Sequence, residues 1–200
     1  MTTLLQIYSS INNGNSQSGR LADQFVAAFL ERNPSARFVK RDLVADPVPH
    51  LTGERFSAFI AKPEQLSAAQ RAVVAYSDEL IAELKAADVI VLGLPMYNFG
   101  VPSQLKAYFD HIARGGVTFR YTASGPQGLL NDKKVYVFAA RGGRYDGGPL
   151  DTQTGYVRDF LRFLGMTDVE FVHAEGLAIS PESRETSLAK ATARALSLAG

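Results

Sequence analysis

Five apolar runs rich in β-branched residues recur along this chain, and a helical pattern follows each of them. The runs are Leu4–Ser10, Ala36–Leu43, Val89–Pro95, Lys133–Arg141 and Asp168–Gly176. Parallel strands need long crossovers, and helical crossovers cover the faces of the sheet. Val89–Pro95 does not alternate apolar with polar, so it reads as a strand buried on both sides. Leu21, Phe25 and Phe29 stand four apart in the first helical pattern, which Asn33-Pro34 closes. Leu66–Asp88 is a long helix with Ser67 as its cap. Pro102–Ala113 begins with Pro at the first turn, and the closing helix is capped by Ser180 with Pro181 next. Ala45–Gly53 reads as a Pro-rich loop, and Gly115–Leu130 as a loop or short hairpin. The expectation is a single α/β domain over residues 1–200. It is a three-layer sandwich, with a five-stranded parallel sheet of order 2-1-3-4-5 and helices on both faces.

Composition removes several classes of function. There are 21 Lys and Arg against 20 Asp and Glu, with no basic block, so no nucleic-acid surface is expected. Zero cysteines exclude disulfides, thiolate metal sites and a Cys nucleophile, and fit a reducing compartment. The three histidines, His50, His111 and His173, have no metal-ligand spacing. The start, MTTLLQIYSS, lacks a basic region before an apolar stretch, and no run reaches membrane-span length. A cytoplasmic protein without membrane or metal partners is expected.

In an open α/β sheet, ligands bind beyond the carboxyl ends of the strands at the switch point. The loops after the first, third and fourth runs should meet there, and these three are unusual in composition. The first, SSINNGNSQSG, is Ser, Asn, Gln and Gly with no acid before Asp23. It admits three readings: a plain polar loop, a nucleophile turn, or an anion cradle. As a nucleophile turn, Gly14–Ser18 has Ser where G-x-S-x-G needs its last Gly. The same stretch is similar to the GDSxS block of GDSL esterases, with Ser16 as nucleophile. Those need a DxxH pair that this chain lacks. As a cradle, a helix N-terminus with Ser10, Ser16, Gln17 and Ser18 offers backbone and side-chain donors to a mononucleotide phosphate. Neither G-x-G-x-x-G nor a P-loop is present. The second loop carries Pro95, Met96, Tyr97, Asn98 and Phe99, a packed turn or a wall for a flat ring. The third carries Ala140, Arg141, Gly142 and Gly143, a mobile surface loop or a set of donors at a ring's polar edge. Arg141 and Arg144 would add positive charge there.

The segments PMYNF, VPSQLKAYFDHIARGGVTFRYT and RGG, with Ser16-Gln17-Ser18, resemble the FMN-dependent NADH-azoreductases, also described as FMN-dependent NADH:quinone oxidoreductases. The likeness covers nearly the whole chain, including GPQGLL, FLRFLGMTDVEFV and AEG. It implies a flavodoxin-like fold and a homodimer with one FMN per subunit near the interface. It implies that Ser10 and Ser16–Ser18 hold the phosphate region, that Met96–Phe99 line the isoalloxazine, and that Ala140–Gly143 meet its polar edge. Phe119, Tyr121 and Phe163 match family positions near the flavin or the partner's pocket, and Tyr145 lies on the substrate side. The family often has Ser at 140, and some members a His at 145; an aromatic is common at 173. Here these are Ala140, Tyr145 and His173.

The implied activity is hydride transfer from NADH or NADPH to FMN, followed by two-electron reduction of a quinone or azo acceptor at the same ring face. That order is ping-pong, and no side chain is assigned as an obligatory acid or base. Two other readings stand beside it. One is a flavodoxin-type electron carrier, although a net charge of +1 lacks the usual acidic docking surface. The other is the esterase using Ser16.

Overall fold

The computed structural model describes residues 1–200, the side chain of Asn13 excepted. In chain order the elements are β1 (Thr3–Tyr8), α1 (Gln17–Arg32), β2 (Arg37–Asp42), α2 (Gly53–Ile60), α3 (Ala68–Ala86), β3 (Val89–Pro95) and α4 (Ser103–Ile112). Then come β4 (Phe119–Thr122), β5 (Gly125–Gly128), β6 (Lys134–Ala140), α5 (Thr154–Phe163), β7 (Asp168–Ala174) and α6 (Pro181–Leu198).

Five strands form one parallel sheet in the order β2-β1-β3-β6-β7. The five runs read from the sequence are its strands. The expected numbering 2-1-3-4-5 needs correcting to 2-1-3-6-7, because β4 and β5 pair antiparallel with each other outside that sheet. A second departure is α2, which lies where no helix is expected. Thr52 caps it through the Arg55 amide; Phe56, Phe59 and Ile60 stand at helical spacing, but the helix has only eight residues and only Ala58 is buried, so its apolar pattern is too short to stand out.

The faces of β3 show why its sequence does not alternate. Ile90, Leu92 and Leu94 enter a core with Leu80, Leu84, Leu105, Phe109 and Leu161, from α3, α4 and α5. Val91 points the other way, into a core with Leu21, Phe25, Ala191 and Ala195, from α1 and α6. Both faces need apolar residues, so every position is apolar. The edge strand β2 is partly exposed and carries Arg37, Lys40 and Arg41, charges that discourage pairing with another edge. Helix starts follow the expected signals. Ser67 and Gln70 form a reciprocal capping box on α3, and Ser180 caps α6 with Pro181 at its first position.

The register brings the strand ends into line. Tyr8 pairs with Gly93, and Pro95, Ala140 and Ala174 form one row two residues further on. The loops after β1, β3 and β6 therefore leave the sheet side by side. The hairpin β4–β5 is seated on the end of α5. A Cβ at Gly128 would lie 2.0 Å from the Gly165 nitrogen, so only glycine allows that approach.

In the last turn of α4, His111 is fully buried against the rings of Phe59 from α2 and Tyr76 from α3. Its Nδ1 lies 3.0 Å from the Ala107 carbonyl oxygen, and its Nε2 has no partner among the described residues. Burial holds its pKa below the ordinary imidazole value, against a smaller upward pull from the Ala107 carbonyl. Unfolding restores proton uptake, so this residue's stabilisation is complete above about pH 6.5 and declines as pH falls below it. Urea denaturation across pH 5–8 should show the native chain losing stability toward acid relative to a His111→Leu variant. Parallel curves for the two would contradict this.

Candidate functional site

Ser16 is the N-cap of α1, and its Oγ accepts the Gly19 amide at 3.0 Å. Ser18 Oγ lies 3.2 Å from Ser16 Oγ, and both side chains are buried. The amides of Gln17 and Ser18, in the first turn, have no acceptor within the helix. The turn sits close over β1, since a Cβ on Gly19 would come within 2.3 Å of the Tyr8 ring. Ser9 Oγ donates to the Gly93 carbonyl at 2.7 Å, which ties this loop to β3. Ser10 Oγ lies 3.0 Å from Tyr97 Oη, and the Ile11 amide donates to the same oxygen at 3.2 Å.

These groups border a cavity of about 270 Å³ at the ends of β1, β3 and β6. Ser10, Ser16–Ser18, Pro95–Tyr97 and Ala140–Gly142 line it, which brings together ten of the thirteen expected cofactor residues. Asn12, Asn15 and Arg184 join them. No carboxylate faces this space, and the α1 N-terminus carries a partial positive charge. A second cavity of about 300 Å³ continues from Met96 and Gly142, bounded by Asn98, Phe99 and Tyr145. Phe99 and Tyr145 meet edge to face at 5.8 Å. Gly143 lines neither cavity; its carbonyl accepts the Gly176 amide at 2.7 Å.

The turn carrying Asn98 and Phe99 is strained and braced. Both residues have left-handed backbones, with φ of 50° and 61°. Tyr97 and Gly100 exchange two backbone hydrogen bonds of 3.1 and 2.9 Å. Gln153, fully buried, donates Nε2 to the carbonyls of Pro95 at 2.9 Å and Gly100 at 2.8 Å. Thr152 Oγ1 donates to the Phe99 carbonyl.

Arg141 departs most from the sequence reading. Its backbone lines the cavity, but its guanidinium turns away and is fully buried. It pairs with Asp151 at 3.0 Å and Glu175 at 3.0 Å, and donates to Thr154 Oγ1 at 2.8 Å. Burial alone would raise the Asp151 pKa. Hydrogen bonds from the Thr154 backbone and hydroxyl, and from Arg141, outweigh it and bring the carboxyl to about 2. Glu175 also accepts the amides of Tyr145 and Asp146 at 3.1 Å. The positive charge expected at the ring edge is thus neutralised inside the protein. Arg144, the other expected cation, lies against Ser183 at 3.4 Å and does not line either cavity of the cleft.

Phe119, Tyr121 and Phe163 are not brought to this cleft within one chain. Phe119 packs on Phe163 at 4.4 Å and on Tyr121 at 5.7 Å, at the hairpin, and Tyr121 is 77% exposed. Gln153, Asp151, Glu175 and Arg184 were not singled out by sequence. The only available signal for Asp151 was its place just before a helix, where acids cap. No cluster of three metal-ligating side chains occurs among the described residues.

A polar, carboxylate-free cleft opening from a helix N-terminus at the switch point of a parallel sheet defines the class, a flavodoxin-like α/β protein with a mononucleotide-type site. The family model for the flavodoxin-like fold matches residues 2–198, and the chain belongs to that family. It is 55% identical over 191 residues to FMN-dependent NADH:quinone oxidoreductase 6 of Burkholderia lata, covering 96% of each chain. It is 54% identical over 190 residues to an FMN-dependent NADH:quinone oxidoreductase of Cellvibrio japonicus, with 95% and 96% covered. Among solved structures, an azoreductase from Bacillus anthracis superposes with a TM-score of 0.92 at 29% identity, covering 100% and 99%. An FMN-dependent NADH-azoreductase from the same species, in complex with FMN, gives 0.87 at 27%, each chain covered in full.

Replacing Arg141 by Met should expose how much the site depends on its ion pairs. Asp151 and Glu175 would lose their shared cation in a buried setting, a loss of about 3–5 kcal/mol. Urea denaturation of Arg141→Met should show a drop of that order, and a change below about 1 kcal/mol would contradict the assignment.

Proposed function

We propose that this protein is an FMN-dependent oxidoreductase that passes two electrons from NADH to quinones and reductively cleaves azo compounds. The observation that carries the reading is the continuous cleft, with phosphate donors at one end and an aromatic- and backbone-lined space at the other. The donor set fits FMN. Hydroxyls and first-turn amides suit a phosphate, and the absence of a carboxylate removes repulsion. Names of relatives at 54–55% identity agree.

Bound FMN supplies a ring that accepts a hydride and gives up two electrons. The chain's own residues do the rest. Ser16, Gln17 and Ser18 would hold the phosphate. Met96 and Tyr97 bound the ring, and the braced turn at Asn98 and Phe99 offers backbone groups in a fixed direction. Phe99 and Tyr145 border the space where donor and acceptor take turns, which makes the kinetics ping-pong. No side chain serves as an obligatory acid or base. NADPH is the alternative donor.

The unit is a single domain over residues 1–200 and works as a homodimer in the cytoplasm. Exposed Phe99, Leu150 and Tyr121 are apolar surface suited to a subunit contact. In the dimer, Phe119, Tyr121 and Phe163 reach the partner's cleft. Zero cysteines suit a reducing compartment, and no helix is long and apolar enough to cross a membrane.

The esterase reading has no support at Ser16. Its Oγ is engaged by the Gly19 amide and Ser18, and no histidine lines that cavity.

Purified protein should show a flavin absorption band and release FMN on heating. A colourless protein that fails to take up added FMN overturns the proposal. Initial rates with NADH and a quinone should give parallel double-reciprocal lines; intersecting lines would refute the shared site. Ser16→Ala should weaken FMN retention by about 1.5–3 kcal/mol, the range for a hydrogen bond to a charged group.

A further inference from the structure

Among the described residues, the cavity at the start of α1 is lined by one side-chain cation whose charge is not paired. Arg141 has its charge turned onto Asp151 and Glu175. Arg184 also lines the cavity, and its guanidinium makes no hydrogen bond or ion pair among the described residues. It stands one turn into α6, whose amide at 184 bonds to the Ser180 carbonyl.

Its level can be read from the packing of α6 on α1. The two helices lie side by side on one sheet face and share a core. Both follow parallel strands, so they run in the same direction. Thr192 donates to Gln24 at 3.0 Å, and further along Arg32 donates to the Leu196 carbonyl at 3.2 Å. Ser16 stands eight residues before Gln24, and Arg184 eight before Thr192. At 1.5 Å per residue, both are about 12 Å from that cross-link, which puts Arg184 level with the first turn of α1.

We propose that Arg184 is the side-chain cation for the cofactor's phosphate and sets the preference for FMN over riboflavin. This rests on the FMN reading above. The cradle otherwise offers neutral donors and a helix end, while the phosphate monoester carries close to two negative charges at neutral pH. A guanidinium fork matches phosphate oxygens in geometry as well as charge. Because Arg184 is exposed and its guanidinium has no hydrogen bond or ion pair among the described residues, its replacement should leave folding intact.

The test is to measure dissociation constants for the full chain with FMN and with riboflavin, from flavin fluorescence, at two salt concentrations. Arg184→Ala should weaken FMN about 10-fold and leave riboflavin within about twofold, so that the selectivity ratio falls. Arg184→Lys should fall between, keeping charge without the fork. The salt dependence of FMN binding should flatten in Arg184→Ala. Equal effects on both flavins, or none on either, would overturn the proposal. So would normal FMN binding with a raised KM for NADH, which would place Arg184 on the dinucleotide's phosphates. If the native chain binds neither flavin, it is the FMN reading itself that fails.

Discussion

A guanidinium with no exposed surface organises the end of this sheet. Arg141 leaves β6 at the point where the chain enters the glycine-rich loop, and its side chain reaches both Asp151 and Glu175. Glu175 in turn receives the amides of Tyr145 and Asp146, so one carboxylate holds both the cation and the loop beyond it. Asp151 accepts the amides of Gln153 and Thr154 at the start of α5, where a negative charge suits the helix dipole. Taking these charges out of water is costly, and an apolar cluster could match the stability. An apolar cluster has no direction, however. The ion pairs fix three chain segments by hydrogen bonds of about 3 Å, and those segments form the wall of the cleft.

The same helix start braces the opposite wall. Gln153 follows Asp151 by two residues and clamps the carbonyls of Pro95 and Gly100. Between them lie two residues with left-handed backbones, a conformation that costs of order 1–3 kcal/mol each. Such a turn persists only where its surroundings hold it, and Gln153 and Thr152 are those surroundings. One short segment, Asp151–Gln153, therefore positions the turn after β3 and the loop after β6 together. A planar ligand between them meets edges that do not need to reorganise.

Much of this was legible from residues alone. Unbroken apolar character marked β3, and Ser67 and Ser180 marked helix starts, because those signals are local. The convergence of three loops followed from topology. Arg141 was assigned to the right wall but its charge to the wrong side of it. The partners that turn it inward stand ten and thirty-four residues away, at Asp151 and Glu175. Gln153 looked like any polar residue in a Gly-rich stretch, since its two acceptors are more than fifty residues distant. Helix α2 is hard to read from sequence because its apolar period, Phe56, Phe59 and Ile60, spans little more than one turn behind a Pro-rich loop. Phe119 and Tyr121 were placed by likeness to a family, and within one chain they pack on the hairpin rather than in the cleft.

The three departures from the family pattern fall on one side of this framework. Ala140 loses a hydroxyl, but its carbonyl still accepts the Met96 amide at 3.3 Å, so the link between β6 and the turn after β3 survives. His173 lies 3.1 Å from Asp146 and 3.4 Å from Thr154 Oγ1, and it packs on Phe171. Asp146 adjoins Tyr145, so the exchange at 173 supports the loop that carries the exchange at 145. Tyr145 is the residue that meets Phe99 across the second cavity. Ser16 and Ser18, at the start of α1, are untouched by these differences. On the FMN reading, the three exchanges fall at the ring's edge and beyond it, and the donors at the start of α1 are kept. On that reading, a scaffold divided in this way could change what it reduces while keeping its cofactor.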